Sequence, residues 1–274
     1  MEQDFVKNLS LSGKVVVVTG AARGIGEAIA RAFGRIGCKV VIADRMRRPD
    51  GQKRCDALAD DIRGTGGEAF VMRLDVSDRS QVANMLNLTI ERFGHLDVFV
   101  NNAAIMKGGS LIDMDEKNLQ EHFDVNIKGA FYCCQLVAKQ MVKQGTGGRI
   151  IIISSVDGLE AEEGIVAYSS SKASLIMMTK CMAVELSKHK INVNAIAPGW
   201  VETDMTVPYL NDALMKELEK RIPSGYMAKP EEIAGGALFL ASHLANYVTG
   251  HVLVIDGGLT SNITIKAGEG VVQY

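Results

Sequence analysis

Cysteine is scarce in this chain and unpaired in pattern: Cys38, Cys55, Cys133, Cys134 and Cys181 make an odd five with no CxxC. Neither a disulfide framework nor a zinc site is indicated. Charge of one sign is missing as well. A formal net charge of −2 over 274 residues leaves no dominant basic face for a phosphate backbone, which argues against nucleic-acid binding. No run approaches the roughly 18 apolar residues of a membrane span. The opening MEQDFVKNLS carries acids and polar residues where a secretory leader needs a basic segment and a long apolar stretch. The five histidines lack metal-ligand spacing, so no metal is expected. Repeats, low-complexity segments and interdomain linkers are also absent. The expectation is one cytoplasmic domain over 1–274, in which the sequons at Asn8, Asn87 and Asn262 are chance matches.

What is present is alternation. Short apolar runs bounded by Gly, Asn or Asp cover Lys14 to Thr19, Lys39 to Ala43, Glu68 to Leu74, Leu96 to Asn101, Arg149 to Ser154, Ile191 to Ala197 and His251 to Asp256. Between the first six lie segments long enough for a helix, the pattern of right-handed βαβ crossovers. The strands are apolar on both faces, as a doubly wound parallel sheet requires. The predicted architecture is an α/β Rossmann-type fold with seven parallel strands and helices on both faces. Long helices are expected over 115–144 and 168–190. Both are apolar around more of their circumference than a one-sided helix needs, which suggests a homo-oligomer, dimer or tetramer, formed through them. Residues 203–231, with three of the five prolines, read as a helical lid. The lead 1–12 and the polar tail 260–274 carry no clear element.

VVVVTGAARGIGEAIARAF, Val15 to Phe33, spaces Gly20, Gly24 and Gly26 as GxxxGxG rather than GxGxxG. A strand that turns there into a helix aims unpaired amides and the helix dipole at one point, which favours phosphate. Asp44 follows the second strand, where a dinucleotide fold places the acid that accepts from the ribose 2′-hydroxyl. An acid there favours NAD over NADP. Against it stand Arg23 in the turn and the run Arg45, Arg47, Arg48, Lys53 and Arg54, either a solvated charge run or the seat of an additional phosphate.

Tyr168 and Lys172, in YSSSK, lie four apart on one helix face. Free tyrosine titrates near 10. An ammonium about 4 Å away, at an effective dielectric of about 20, supplies roughly 4 kcal/mol, enough to make tyrosine a usable acid and base. Ser155 ends the fifth strand, and parallel sheets bind ligands at the carboxyl ends of their strands. Gly20, Asp44, Asn101, Asn102, Ser155 and Pro198-Gly199 all fall at such ends.

With TGAARGIG (19–26), LDV (74–76), NNAA (101–104), Asn126 in VNIKGAF, ISS (153–155), YSSSK (168–172) and NAIAPGWVETDM (194–205) in this order, the chain resembles the classical short-chain dehydrogenase/reductase family over about Leu11 to Leu259. The resemblance implies that Ser155 hydrogen-bonds the substrate oxygen and that Tyr168 exchanges its proton. Lys172 would depress the tyrosine pKa and hold the nicotinamide ribose, and Asn126 would position a water leading from Lys172 to solvent. In the cofactor turn Gly20 would permit the bend, Gly24 the approach of pyrophosphate and Gly26 the packing of helix on strand, with Arg23 and Ile25 also at the cofactor; the resemblance implies Asp75 and Val76 at the adenine and Asn102 near the adenosine ribose. Pro198, Gly199, Val201 and Thr203 would hold the carboxamide.

The implied activity is reversible hydride transfer between a secondary alcohol, including polyols and sugars, and its ketone, with NAD preferred and NADP possible. The alternative is an NADPH-dependent 3-oxoacyl-thioester reductase, against which Asp44 and the acidic loop VDGLEAEEG count. That loop, with Asp157, Glu160, Glu162 and Glu163, reads as a solvated loop or a cation-binding pocket. Ala104 stands where the family commonly has glycine, and Tyr226 where it often has arginine. A methyltransferase would have no use for the Ser155, Tyr168, Lys172 and Asn126 set, and a non-catalytic nucleotide sensor fits an intact set poorly.

Overall fold

The computed structural model describes residues 10–262; the sequon at Asn8 and the tail beyond Asn262 lie outside the described residues. Strands β1 (Val15–Thr19), β2 (Lys39–Asp44), β3 (Glu68–Arg73), β4 (Val98–Asn101), β5 (Gly148–Ile153), β6 (Ile191–Pro198) and β7 (Val252–Ile255) form one sheet ordered β3-β2-β1-β4-β5-β6-β7. Every neighbouring pair is parallel, as the alternating pattern predicts. Val15 and Val17 face one core, Val16 and Val18 the other, the period-two alternation of a strand buried on both sides. Strands β1, β2 and β4 to β6 keep that burial along most of their length; the edge strands β3 and β7 are half-open.

Helices α1 (Gly24–Arg35), α2 (Gly51–Gly64) and α8 (Pro230–Ala241) cover one face with Ile29, Phe33, Leu58, Ile62, Ile233 and Leu240. Between α2 and α8 in sequence come α3 (Arg79–Phe93), α4 (Glu116–His122), α5 (Ala130–Gln144), α6 (Val166–Leu186) and α7 (Asp212–Arg221). Of these, α3, α5 and α6 cover the opposite face with Met85, Val137, Met141 and Leu175. Helix α3 starts where the Asp78 carboxylate accepts from Ser80 N at 2.8 Å and stops at Gly94, φ 81°. The chain order reverses direction at β1/β4, the switch point at which such sheets open a ligand crevice.

Two expectations about the helices need correction. The segment 115–144 is not one α-helix: α4 and α5 are joined by a π-helical stretch, Phe123–Gly129. A π insertion shifts the helical register by one residue without interrupting the apolar pattern, so periodicity does not reveal it. A Cβ on Gly129 would lie 3.1 Å from the Val76 carbonyl oxygen, so this stretch presses on the loop after β3. The helix expected over 168–190 begins two residues earlier and ends at Leu186, with a short 3-10 turn before Lys190 in the left-handed region at φ 59°. The insertion after β6 contains the turn Val207–Tyr209 and α7, seated on a small cluster of Leu218, Ile222 and Met227.

Candidate functional site

At the carboxyl ends of β1, β2 and β4 the sheet opens into a cleft of about 380 Å³. Its floor is the glycine turn. Gly20 and Gly24 take positive φ, 64° and 57°, conformations that cost a side-chain-bearing residue. A Cβ on Gly20 would sit 2.9 Å from the Ala103 Cα, and one on Gly26 would strike the Gly20 carbonyl. The cleft therefore exists because these three positions carry no side chain. Arg23, Ile25, Asp44, Asp75, Val76, Asn102 and Thr203 also line it, so ten of the residues expected at the cofactor are together. Pro198, Gly199 and Val201 lie at and just beyond the end of β6 but outside this cleft, Val201 buried in a bridge to Ala228.

Asp44 reaches the cleft half-buried, its carboxylate accepting from Ala22 N at 3.1 Å and from Met46 N at 2.7 Å. The arginines are not a freely solvated run. Arg45 Nε pairs with Asp75 Oδ2 at 2.8 Å. Arg48 and Arg54 reach Asp204 Oδ2 at 3.0 and 3.3 Å. Arg23 approaches the same oxygen through its buried Nη1 at 3.5 Å, an ion pair that makes no hydrogen bond. A guanidinium beside an amide-lined turn, its nearest nitrogen in an ion pair but without a hydrogen bond, fits an anionic group such as a pyrophosphate. Asn102 does something other than expected: its Nδ2 donates to the carbonyls of Thr19 and Gly20 at 2.9 and 3.0 Å. It clamps the glycine turn instead of offering those protons to a ribose.

The second group lies along β5 and α6. Ser155 Oγ donates to Asp157 Oδ2 at 2.8 Å and accepts from Asp157 N at 3.2 Å. Tyr168 and Lys172 are 7% and 2% exposed. Lys172 Nζ donates to the Ile153 carbonyl at 2.9 Å and lies 5.5 Å from the centroid of the Tyr168 ring. Asn126, in the π-helical stretch, accepts from Ile105 N and donates to Ile105 O and Ser171 Oγ, each at 2.9 Å. Since Ile105 is a wall of the cleft, this amide ties the cleft to α6. Both of its donor protons are thereby used, and a water would have to take its remaining acceptor lone pair.

Electrostatics here differ from the sequence-based expectation. Burial pushes the Tyr168 hydroxyl above its ordinary pKa, and the Asp157 and Glu162 carboxylates push the same way; only the Ser155 hydrogen bond opposes them. Burial lowers Lys172 to about 8, with Asp157 pulling upward. The Lys172 ammonium meanwhile donates to the Ile153 carbonyl. Glu162 is raised by partial burial and by Asp157, to which it hydrogen-bonds. The acidic loop is thus tied into the site: a Cβ on Gly158 would lie 2.8 Å from the Lys172 carbonyl carbon.

Sequence reasoning missed Ser171 as the partner of Asn126 and Asp204 as the hub of the arginines. The first carried a signal, its place in YSSSK one turn from Tyr168. The second carried none, since Arg48 and Asp204 are 156 positions apart.

Comparison with known proteins agrees with this arrangement. The family model described as enoyl-(acyl carrier protein) reductase matches residues 20–260. A 3-oxoacyl-[acyl-carrier-protein] reductase of Thermotoga maritima is 40% identical, the alignment covering 92% of this chain and 99% of that protein. L-rhamnose 1-dehydrogenase (NAD(P)(+)) of Azotobacter vinelandii is 37% identical, again with 92% and 99% covered. A crystal structure of a short-chain type dehydrogenase/reductase from Mycobacterium marinum superimposes with a TM-score of 0.87 at 37% identity, covering 94% of this chain and 99% of the other. The chain belongs to the classical short-chain dehydrogenase/reductase family and is an oxidoreductase acting on CH–OH groups with a nicotinamide cofactor.

Proposed function

We propose that the protein interconverts a neutral secondary alcohol, of polyol or sugar type, and its ketone, with NAD preferred. The observation that carries this reading is the convergence of Ser155, Tyr168 and Lys172, joined to the wall of the glycine cleft through Asn126, which bonds Ile105 and Ser171. The bare turn of Gly20, Gly24 and Gly26 holds a pyrophosphate, Asp44 a ribose diol, Val76 and Asp75 the adenine edge. Pro198, Gly199, Val201 and Thr203 border the carboxamide end. A bound nicotinamide supplies the hydride acceptor and donor.

The chain's own residues manage the oxygen and its proton. Ser155 turns its hydroxyl from Asp157 to the substrate oxygen and orients it. Tyr168, whose neutral form burial further favours, donates to a carbonyl and takes the proton back from an alcohol. The Lys172 ammonium, titrating near 8, favours the transient tyrosinate once it leaves the Ile153 carbonyl. Asn126 keeps α6 in register with the cleft wall. The segment 203–231 closes over the site as a lid, with Met205, Val207, Leu210 and Leu214 toward an apolar flank of the substrate.

The acyl-carrier alternative shares all of these motifs. What argues against it is charge: Asp157 and Glu162 stand against Ser155 and Tyr168, and an acidic carrier or carboxylate substrate meets repulsion there. Self-association uses α5 and α6, whose outer sides leave Phe131, Val142, Met177 and Val184 exposed. The decisive experiment is turnover of a panel of secondary alcohols, polyols and 3-oxoacyl thioesters with each cofactor. Neutral polyols with NAD at alkaline pH are expected to lead. A thioester reduced fastest with NADPH would replace this reading by the alternative.

A further inference from the structure

Five arginines line the adenosine end of the cleft: Arg23, Arg45, Arg47, Arg48 and Arg54. Guanidinium groups in such number recognise phosphate, and a nearby arginine is the ordinary partner of a ribose 2′-phosphate. Yet most of this charge is already engaged. Arg45 is held by Asp75, while Arg23, Arg48 and Arg54 converge on one oxygen of one residue, Asp204 Oδ2. Asp204 does not come from the sheet edge that carries Asp44. It comes from the insertion after β6, where its neighbour Thr203 lies over the glycine turn, with Cγ2 3.3 Å from the position of a Cβ on Gly24.

We infer that Asp204 is a specificity-determining residue for the cofactor, occupying the arginines that a 2′-phosphate would need. A ribose diol hydrogen-bonds Asp44 and leaves the Asp204 cluster intact. A 2′-phosphate is disfavoured twice: Asp44 repels it, and it gains Arg23, Arg48 and Arg54 only by displacing the Asp204 carboxylate. Selection against the phosphate is in this way wired to the segment that covers the substrate. The inference rests on the proposed reading of the cleft as a dinucleotide site with its adenosine ribose at Asp44.

The test needs no turnover. Adenosine 5′-monophosphate and adenosine 2′,5′-bisphosphate are titrated calorimetrically into the full chain and into Asp204→Asn at low ionic strength. The ratio of bisphosphate to monophosphate affinity is expected to rise at least about tenfold in the variant, and that gain is expected to shrink in about 0.5 M salt. A ratio within about twofold of the parent, with both nucleotides binding, overturns the inference alone. Failure of both to bind the parent overturns the cleft reading and the inference with it. Arg54→Gln supplies an independent arm on the parent chain. It is expected to change bisphosphate affinity less than about twofold there and to cost at least about fivefold in the Asp204→Asn background. Equal costs in the two backgrounds, or a larger cost in the parent, overturn the inference.

Discussion

At the β1/β2 side of the sheet edge, Asp75, Asp204 and four arginines stand partly exposed in ion pairs between 2.8 and 3.5 Å long. Farther along the same edge, Tyr168, Ser171 and Lys172 are buried, and the ammonium of Lys172 has a backbone carbonyl for its partner. In the exposed half, water screens each pair, so a charge serves as a handle for a ligand and contributes little to folding. In the buried half the same kind of charge costs solvation, and that cost appears as a lysine titrating near 8 and a tyrosine held in its neutral form. Burial, more than residue type, separates the electrostatics of the two ends.

The contrast breaks most visibly at Tyr168. Tyr168→Phe is expected to lower kcat/KM by about 10²–10⁴ while leaving the dissociation constant of NADH unchanged; steady-state kinetics beside fluorescence titration decides, and retained turnover would remove the tyrosine from the mechanism. Lys172→Met addresses the lysine through stability. The native lysine binds its proton less tightly than the unfolded one, so the parent chain gains stability as pH rises from about 8 toward 10.5, up to roughly 3 kcal/mol. Tyr168 opposes this above pH 10, where the unfolded tyrosine ionises first, so the informative window is pH 8 to 10. Denaturant melts across it are expected to rise more steeply for the parent than for the variant.

Asn126→Ala strips the partners from Ile105 N and O and is expected to cost about 1–3 kcal/mol by chemical denaturation. Asp157→Asn removes a carboxylate that disfavours the tyrosinate. The rise of alcohol oxidation with pH is therefore expected to move to lower pH, measured as the pH profile of kcat; a move upward would contradict the sign. The smallest effect belongs to the exposed end. Arg48→Gln, which removes one half-exposed pair to Asp204, is expected to change stability by no more than about 0.5 kcal/mol.

Much of this was legible along the chain. Apolar runs punctuated by Gly, Asn and Asp announced seven parallel strands, and the rule that such sheets bind at their carboxyl ends gathers Gly20, Asp44 and Ser155 onto one edge. The acidic loop was legible as charge but not as position; that Asp157 would hold the Ser155 hydroxyl follows from the tight path of Gly158 against α6. Asn102 was legible as a site residue and has a different task, clamping Thr19 and Gly20, because its side chain meets carbonyls that only the β1/β4 crossing brings near.

Local pattern by itself determined which segments are strands, where the glycine turn stands and which residues can share an edge, since those follow from side-chain periodicity and from the conformations glycine alone permits. Tertiary structure decided the charges. The π-helical stretch that turns Asn126 toward Ile105, the burial that lowers Lys172 and raises Tyr168, and the meeting of Arg23, Arg48 and Arg54 on Asp204 all depend on distance and solvent exclusion between residues remote in sequence. Electrostatic energy is a function of separation and dielectric, and neither is written in the order of the residues.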